Sequence, residues 1–352
     1  MDRKSFKDIS WDVDEPTYRA DPALSYSTLA KYEREGFNGI GHLFDKLETS
    51  SLTFGSAVDS IITGGKEEFD SRFLVAEFPP VPDSIIKVVK LLFNEFGVTH
   101  RTLASIPDVE VIGFAGQCNY QSNWKPETRA KVIKEKGAEY YNLLFVAGDK
   151  TILDGETNKD VENSVNALKN SDATRFYFAP NNPFTPDIER FYQLKFKATF
   201  NGVNYRSMAD LIIVDHKNKI VVPCDLKTSS HMEWDFYKSF VDWKYDIQAR
   251  LYWANIRQNM DKDPYFKDFE LLDYRFIVVN RKTLCPLVWT YSYTRRLTED
   301  LTFGKDGNIL FRSPLKVGEE LSYYLSSRPV LPIGVKRDDN NDIVEWLNKM
   351  AK

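Results

Sequence analysis

The stretch Arg206-Ser-Met-Ala-Asp210-Leu-Ile-Ile-Val-Asp215, His216-Lys-Asn-Lys219, Ile220-Val-Val-Pro-Cys-Asp225-Leu-Lys227 decides how the chain is read. Two runs rich in β-branched residues flank a short polar break, the pattern of a two-stranded hairpin. A two-residue loop at Lys217-Asn218 and a four-residue loop from His216 to Lys219 give the same register. Either sets Val214 opposite Val221 and, carried outward, Asp210 opposite Asp225; a three-residue loop would break this pairing.

Cross-strand partners hold their Cβ atoms about 4.5–5.5 Å apart, where like charges are destabilising. Two carboxylates facing each other at the end of an apolar hairpin therefore need a reason, and a divalent cation supplies one. Lys227 is two residues past Asp225, so the strand period of 2 puts both on one face. Two hard oxygen ligands and one cation on a single face suit metal-assisted hydrolysis of a phosphodiester. The carboxylates hold Mg²⁺ or Mn²⁺, the metal lowers the pKa of its water, and the lysine orients that water or offsets charge on the phosphate. Asp-x-Lys alone is a weak pattern. It also begins at Asp2, Asp215 and Asp242, where the ordinary reading is a solvated charge. Only the copy at Asp225 follows an apolar strand with a second Asp opposite.

The 352 residues carry a net charge of −4, with 42% hydrophobic and 14% aromatic residues. That suffices for a sizeable core, and the length allows two domains or one elaborated α/β domain. The charge is not the footprint of a protein that coats nucleic acid, so a nucleic-acid substrate requires positive charge concentrated in a groove or a ring lining. No apolar run approaches a membrane span and no signal segment opens the chain. Cys118, Cys224 and Cys285 stand far apart without a CxxC pair, which argues against a zinc ribbon or a disulfide framework and fits a reducing cytoplasm.

Residues 1–24 are polar and proline-punctuated and read as an irregular arm. A helix starts within Ser25-Tyr-Ser27-Thr-Leu29 with a serine as N-cap; Ser27 is either a plain cap or a hydroxyl that receives a phosphate. Leu52 to Ile62 reads as a buried helix on which Gly55 and Asp59 share a face. Asp59 there needs a partner, structural or metallic. Prolines at 79, 80, 82 and 107 mark residues 66–125 as an irregular insertion. Helices are expected over 125–144 and 160–177, the latter with Val161, Val165, Leu168 and Phe176 as core. Ile188 to Tyr192 leads to Leu194–Phe200, which alternates apolar and polar as a half-exposed strand does, and Asn201-Gly202 is a hairpin turn. Glu189 on that strand either reaches the site or is a surface residue. Trp234 to Trp243 packs as a helix or loop, and Tyr245 to Ala254 forms a helix carrying Gln248 and Tyr252 on one face. Strands follow at 274–279 and 287–293, then helical pieces at 319–325 and 343–350. There is no P-loop, GxSxG, HExxH or GxGxxG.

Four pieces thus stand in order: Ser25-x-Ser27-x-Leu29, Gly55-x-x-x-Asp59, Asp210…Asp225-x-Lys227 and Gln248-x-x-x-Tyr252. The set resembles the PD-(D/E)xK nucleases of the RecB-like branch, and within it phage exonucleases similar to exodeoxyribonuclease VIII and lambda exonuclease. The resemblance implies an α/β (α+β) fold with a mixed central β-sheet flanked by helices and a restriction-endonuclease-like core. It implies a single nuclease domain over 1–352, with an arm at 1–24, an insertion at 66–125 and a catalytic core at 187–293. Asp210, Asp225, Lys227 and Gln248 would be catalytic, and Asp59, Asp210, Asp225 and Leu226 metal positions. Ser27 and Arg19 would meet a 5′ phosphate, with Arg206, Tyr252 and Glu189 as further DNA contacts.

The branch usually has His where Asp59 stands, and Asp225 has a shorter reach than the more common Glu. The cysteine cluster of iron–sulfur members is absent. The expected activity is metal-dependent 5′→3′ exonucleolysis of linear duplex DNA, making single-stranded tails for recombination or repair. The expected partners are DNA, a single-strand annealing protein and other copies of the chain in a ring. The alternatives are a structure-specific endonuclease and a catalytically silent DNA-binding or assembly protein.

Overall fold

The computed structural model describes residues 3–45, 49–182, 184, 187–304 and 306–326. The chain forms two compact units. One comprises Met1–Lys46, Ser171–Asn280 and Cys285–Lys352; the other comprises Leu47–Asn170 and Arg281–Leu284.

The first unit is a mixed sheet flanked by helices. In chain order it contains helix α1 (Tyr26–Glu35), strands β1 (Ile188–Phe200), β2 (Val203–Asp215) and β3 (Ile220–Ser229), helix α2 (Tyr245–Lys262), strands β4 (Arg275–Asn280) and β5 (Leu287–Thr290), and helix α3 (Pro314–Ser326). The strands lie in the order β1-β2-β3-β4-β5, with the short strand Glu270–Leu271 also beside β3. All pairings are antiparallel except β3 with β4 and with Glu270–Leu271.

Local chemistry sets this register. Asn201 and Gly202 both have positive φ, 50° and 78°, the two-residue turn whose twist matches its strands. The β2–β3 turn is the four-residue one: Asp215 faces Ile220 and Val214 faces Val221. Asp215 pins it by accepting hydrogen bonds from the Asn218 backbone (2.9 Å) and side-chain amide (2.7 Å). Pro223, which lacks an N–H, falls between the Val221–Leu271 and Cys224–Arg275 pairs, where the parallel side of the ladder is interrupted.

Two apolar clusters join the sheet to its helices. Phe6, Phe191, Leu194, Phe196, Ala209, Ile212 and Val214 pack with Ile256 and Met260 of α2. Leu29, Tyr32, Tyr205, Leu251, Phe276 and Leu321 join α1, α2 and α3 to the other end of the sheet. Gly318 lets α3 approach closely, since a Cβ there would lie 2.1 Å from the Tyr205 hydroxyl. The spacing in the first cluster is informative. It steps by three, not two, from Phe191 to Leu194 and from Ala209 to Ile212, so both strands slip their alternation at one level. At that level Gln193 has φ of 54°, and the β1–β2 register is the same on either side, Tyr192 facing Leu211 and Leu194 facing Ala209. An L-residue in the left-handed region costs about 1–2 kcal/mol.

Several sequence expectations change. Residues 3–24 are packed: Phe6 is fully buried and Glu15–Ala20 is helical. The prolines of 66–125 start helices, Pro82 preceding Asp83–Phe96 and Pro107 preceding Asp108–Gln117, so this lobe is largely helical. It lies within the second unit, whose core joins those helices to Pro126–Ala147. The helix expected over 160–177 is Gly155–Asn170 and ends before Phe176. Phe176 is 50% exposed, with the Arg190 guanidinium over its ring. The piece at 343–350 lies outside the described residues. No helix among them is long and apolar enough to cross a membrane.

Arg250 is the largest fully buried side chain. Its guanidinium donates to the carbonyls of Arg296, Glu299 and Arg312 and to Asp246 Oδ2, tying α2 to the chain leading into α3. Burial pushes the Asp246 carboxyl up, and Arg250 pulls it back. Breaking such a buried pair costs about 3–5 kcal/mol. Arg250→Met should lower unfolding free energy by that order in urea denaturation; a loss below about 1 kcal/mol, the range of exposed pairs, would deny Arg250 this role.

Candidate active site

The site lies where β2 and β3 part. Their ladder runs from Asp215–Ile220 to Leu211–Cys224, and the next step outward is Asp210 and Asp225. There the backbone bond gives way to a side chain: Asp210 Oδ2 accepts from the Leu226 N–H at 2.9 Å. Farther along the same edge of β2 a different segment takes over. Leu24 bridges Tyr205 in parallel, its N–H donating to Asn204 O and its carbonyl accepting from Arg206 N, both 2.9 Å. Between the two partners the edge opens into a cleft, and the Leu24 bridge brings the start of α1 to its rim.

The cleft is lined by Asp210, Asp225, Lys227, Gln248, Tyr252, Arg206, Arg19 and Ser27, joined by Tyr18, Ser25, Tyr26 and Met208. Eight residues singled out in the sequence, separated by up to 233 positions from Arg19 to Tyr252 (252 − 19), therefore share one concave surface. Asp225 is 1% exposed. Its carboxylate is ion-paired with Lys227 and accepts from Gln248 Nε2. That bond turns Gln248 Oε1 away, and this buried oxygen has no partner among the described residues. Burial disfavours the Lys227 ammonium, but Asp225, Tyr245 and Asp210 outweigh it and raise the lysine pKa. The ammonium also lies 4.9 Å from the Tyr245 ring centroid. Lys227 is thus a cation at neutral pH.

The opposite wall is hydroxyl-rich and positive. Ser25 caps α1, its hydroxyl within 2.9 Å of the Ser27 hydroxyl and 3.0 Å of the Thr28 hydroxyl. Arg206 donates to the Tyr18 carbonyl and places its guanidinium 4.9 Å from the Tyr18 ring centroid. Arg19 is held by Glu15 at 3.0 Å. Burial lifts the Tyr18 phenol to about 12, with Arg206 and Arg19 pulling the other way, and lifts Tyr26 and Tyr252 well above their ordinary value. All three remain neutral hydroxyls at physiological pH.

Three expected residues stand elsewhere or act differently. Glu189 is not part of the cleft. It faces Val214, four residues along β2 from Asp210, and binds Arg3 (3.0 Å) and the buried His216 (2.9 Å). Leu226 contributes its backbone N–H to Asp210. Asp59 lies on the helix Ser50–Arg72 of the second unit. Among the described residues no group of three or more His, Cys, Asp or Glu is placed to hold a metal. The oxygens that fit a hard cation are those of Asp210 and Asp225, with the unsatisfied Gln248 Oε1 beside them as acceptor for a cation's hydration water.

Tyr18, Tyr26 and Met208 were missed in the sequence. Met208 was findable, since Arg206, Met208 and Asp210 share strand parity.

No family model matches the chain, and no curated protein matches it either. Among solved structures it is similar to a protein from Eubacterium rectale that bears the provisional name of exonuclease. The match covers 90% of this chain and 85% of that one at 11% identity, with a TM-score of 0.33. Such a likeness is too slight to carry an argument, and the site stands on its own geometry.

The raised Lys227 pKa has a stability signature. A group whose pKa rises on folding contributes fully below its ordinary value, here 10.5, and loses the contribution as pH climbs through the folded value. In EDTA, Lys227→Met should melt below wild type at neutral pH, with the gap closing above pH 10.5. A gap that does not change with pH would mean the ion pair with Asp225 adds nothing to stability.

Proposed function

We propose that the chain is a metal-dependent deoxyribonuclease of the PD-(D/E)xK type, RecB-like branch, that works as an exonuclease on linear duplex DNA. The observation that carries this reading is the meeting of Asp210, Asp225, Lys227 and Gln248 in a cleft whose other wall bears Arg19, Arg206 and the capped start of α1. A carboxylate pair beside a lysine suits phosphodiester hydrolysis; guanidinium groups and a helix N-terminus suit phosphate oxygens.

In this reading Asp210 and Asp225 hold Mg²⁺ or Mn²⁺, with Leu226 setting the Asp210 carboxylate. When bound, the cation supplies charge neutralisation at the scissile phosphate and a lowered pKa for the attacking water. Lys227, a cation at neutral pH, orients that water and offsets charge building on the phosphate oxygens. Gln248 fixes Asp225 through its amide and offers Oε1 to water. Arg206, Arg19 and Ser27 hold the terminal 5′ phosphate, which favours cleavage from a 5′ end, and Tyr252 lies along the strand.

The biological setting that suits this activity is a cytoplasmic, phage-type recombination or repair step that leaves single-stranded tails for an annealing protein. A ring of copies would concentrate positive charge around DNA despite the net charge of −4.

The test is digestion of end-labelled linear and closed-circular duplex with Mg²⁺. Degradation of the linear form with the circle spared is expected; cleavage of the circle would point to a structure-specific endonuclease, and no cleavage of either to a silent DNA-binding protein. Lys227→Ala should reduce cleavage by about 10²-fold or more while keeping DNA binding in Ca²⁺, since it removes a charge acting on the reacting phosphate.

A further inference from the structure

We propose that the Trp243 indole is a stacking ledge for an unpaired nucleobase of the strand that the cleft engages. The inference rests on the nucleic-acid reading of the site given above and adds to it a second place where the substrate is held.

Trp243 stands between the helix Phe236–Asp242 and the start of α2, and its backbone is held on both sides. Its N–H donates to the Ser239 carbonyl at 3.0 Å, and its carbonyl accepts from the Tyr26 hydroxyl at 2.7 Å. The next residue, Lys244, turns the chain into α2 with φ of 56°, left-handed backbone at a non-glycine residue. Strain of this kind persists where the surroundings over-determine it, and here it fixes the turn that carries the indole. The indole itself is 43% exposed. An anchored backbone under an exposed ring is a preorganised surface, so little freedom is lost when a ligand lands on it.

The neighbours of the ring say what fits. The Arg34 guanidinium lies over the indole, 5.1 Å from the ring centroid. Among the described residues Arg34 has no ion pair, and no second aromatic ring packs on the indole. Helix α1 connects this ledge to the cleft. Ser27, Lys31 and Arg34 are spaced four and three apart, so they share one face of α1, and Ser27 lines the cleft. Lys31 also donates to the His42 carbonyl. From Ser27 to Arg34 is about 10 Å along the helix axis, about three phosphate steps of a DNA strand. Burial raises the Tyr26 and Tyr245 phenols and Arg34 pulls both down, and Tyr245 is the ring against which the Lys227 ammonium lies. Tyr26 in turn meets Tyr252 edge to face, with 6.5 Å between centroids. A cationic track beside aromatic rings thus leads from the carboxylates to Trp243.

A base inside a duplex is stacked on both sides and offers no free face. An unpaired base does, and its stacking on an aromatic ring beside a guanidinium tolerates any sequence, because every base has a π-face. The occupant is therefore a nucleotide of a single-stranded end.

The experiment is fluorescence anisotropy in Ca²⁺ with two short single strands of equal length, both 5′-phosphorylated and 3′-labelled. One is built of thymidines and the other of abasic sugars, which carry the same charge. Wild type should prefer the thymidine strand. Trp243→Leu and Trp243→Ala should lose about tenfold of that preference, the scale of one base stacked on one ring, while binding the abasic strand as wild type does. Trp243→Phe should keep most of it. An unchanged preference in Trp243→Leu or Trp243→Ala overturns the inference, as does wild type binding both strands equally. Should neither variant fold, tryptophan emission decides: the thymidine strand must quench wild type more than Trp243→Phe, and equal quenching overturns the ledge. Wild type that binds neither strand and leaves linear duplex uncut in Mg²⁺ overturns the nuclease reading itself. Wild type that cuts linear duplex yet shows no thymidine preference removes the ledge alone.

Discussion

The Asp210 carboxylate accepting the Leu226 N–H is the bond on which the site's geometry depends. A sheet that stayed paired along β2 and β3 would have no cleft, and one that parted without compensation would leave an N–H unsatisfied. An unsatisfied buried donor costs about 1–3 kcal/mol. Here a side chain replaces the lost ladder bond, so the strands diverge while Asp210 and Asp225 remain neighbours. The repulsion between two carboxylates is met on the β3 side by Lys227 and Gln248, which engage Asp225. Charge, hydrogen bonding and strand geometry are thus settled by one short fork.

The helices make the fork usable. α2 supplies Gln248 and Tyr252 to the cleft, and Arg250, on the same helix, is spent on three carbonyls and Asp246. The division follows from helical geometry: residues four apart share a face, so Gln248 and Tyr252 reach the cleft together while Arg250 between them turns away. α1 is brought in by the parallel bridge at Leu24, and its capped N-terminus arrives beside Arg206 as a result.

How much of this was legible in the sequence depends on the range of the forces involved. The hairpin register was readable because a four-residue turn and two β-branched runs are local signals, and Val214 does face Val221. The pair Gln248 and Tyr252 was readable because helical spacing is local too. The mixed sheet flanked by helices was implied by the family resemblance and not by these local patterns. The slip at Gln193 was not legible: a glutamine carries no marker of positive φ, and only the packing of Phe191 and Leu194 on one helix reveals it. Tyr18 and Tyr26 were hidden because a polar, proline-marked segment gives no sign that Leu24 will pair with β2. Periodicity alone puts Phe176 in the core, whereas the helix ends at Asn170. Prolines misled in the second unit because they mark a helix start as readily as a loop, and Pro82 and Pro107 do the former.

The bond from the Tyr26 hydroxyl to the Trp243 carbonyl spans 217 residues. On a ribosome adding about 5–20 residues per second, that interval is about 10–45 s. Throughout it Leu24, Leu29 and Tyr32 have emerged while the strands and helix that cover them have not. The nascent chain therefore carries an exposed apolar segment, and no partial product holds a complete cleft. If this protein cuts DNA, its synthesis has a built-in delay: the catalytic surface closes only after Tyr252 has left the exit tunnel, and the emerging N-terminal segment is the natural client of a chaperone until then.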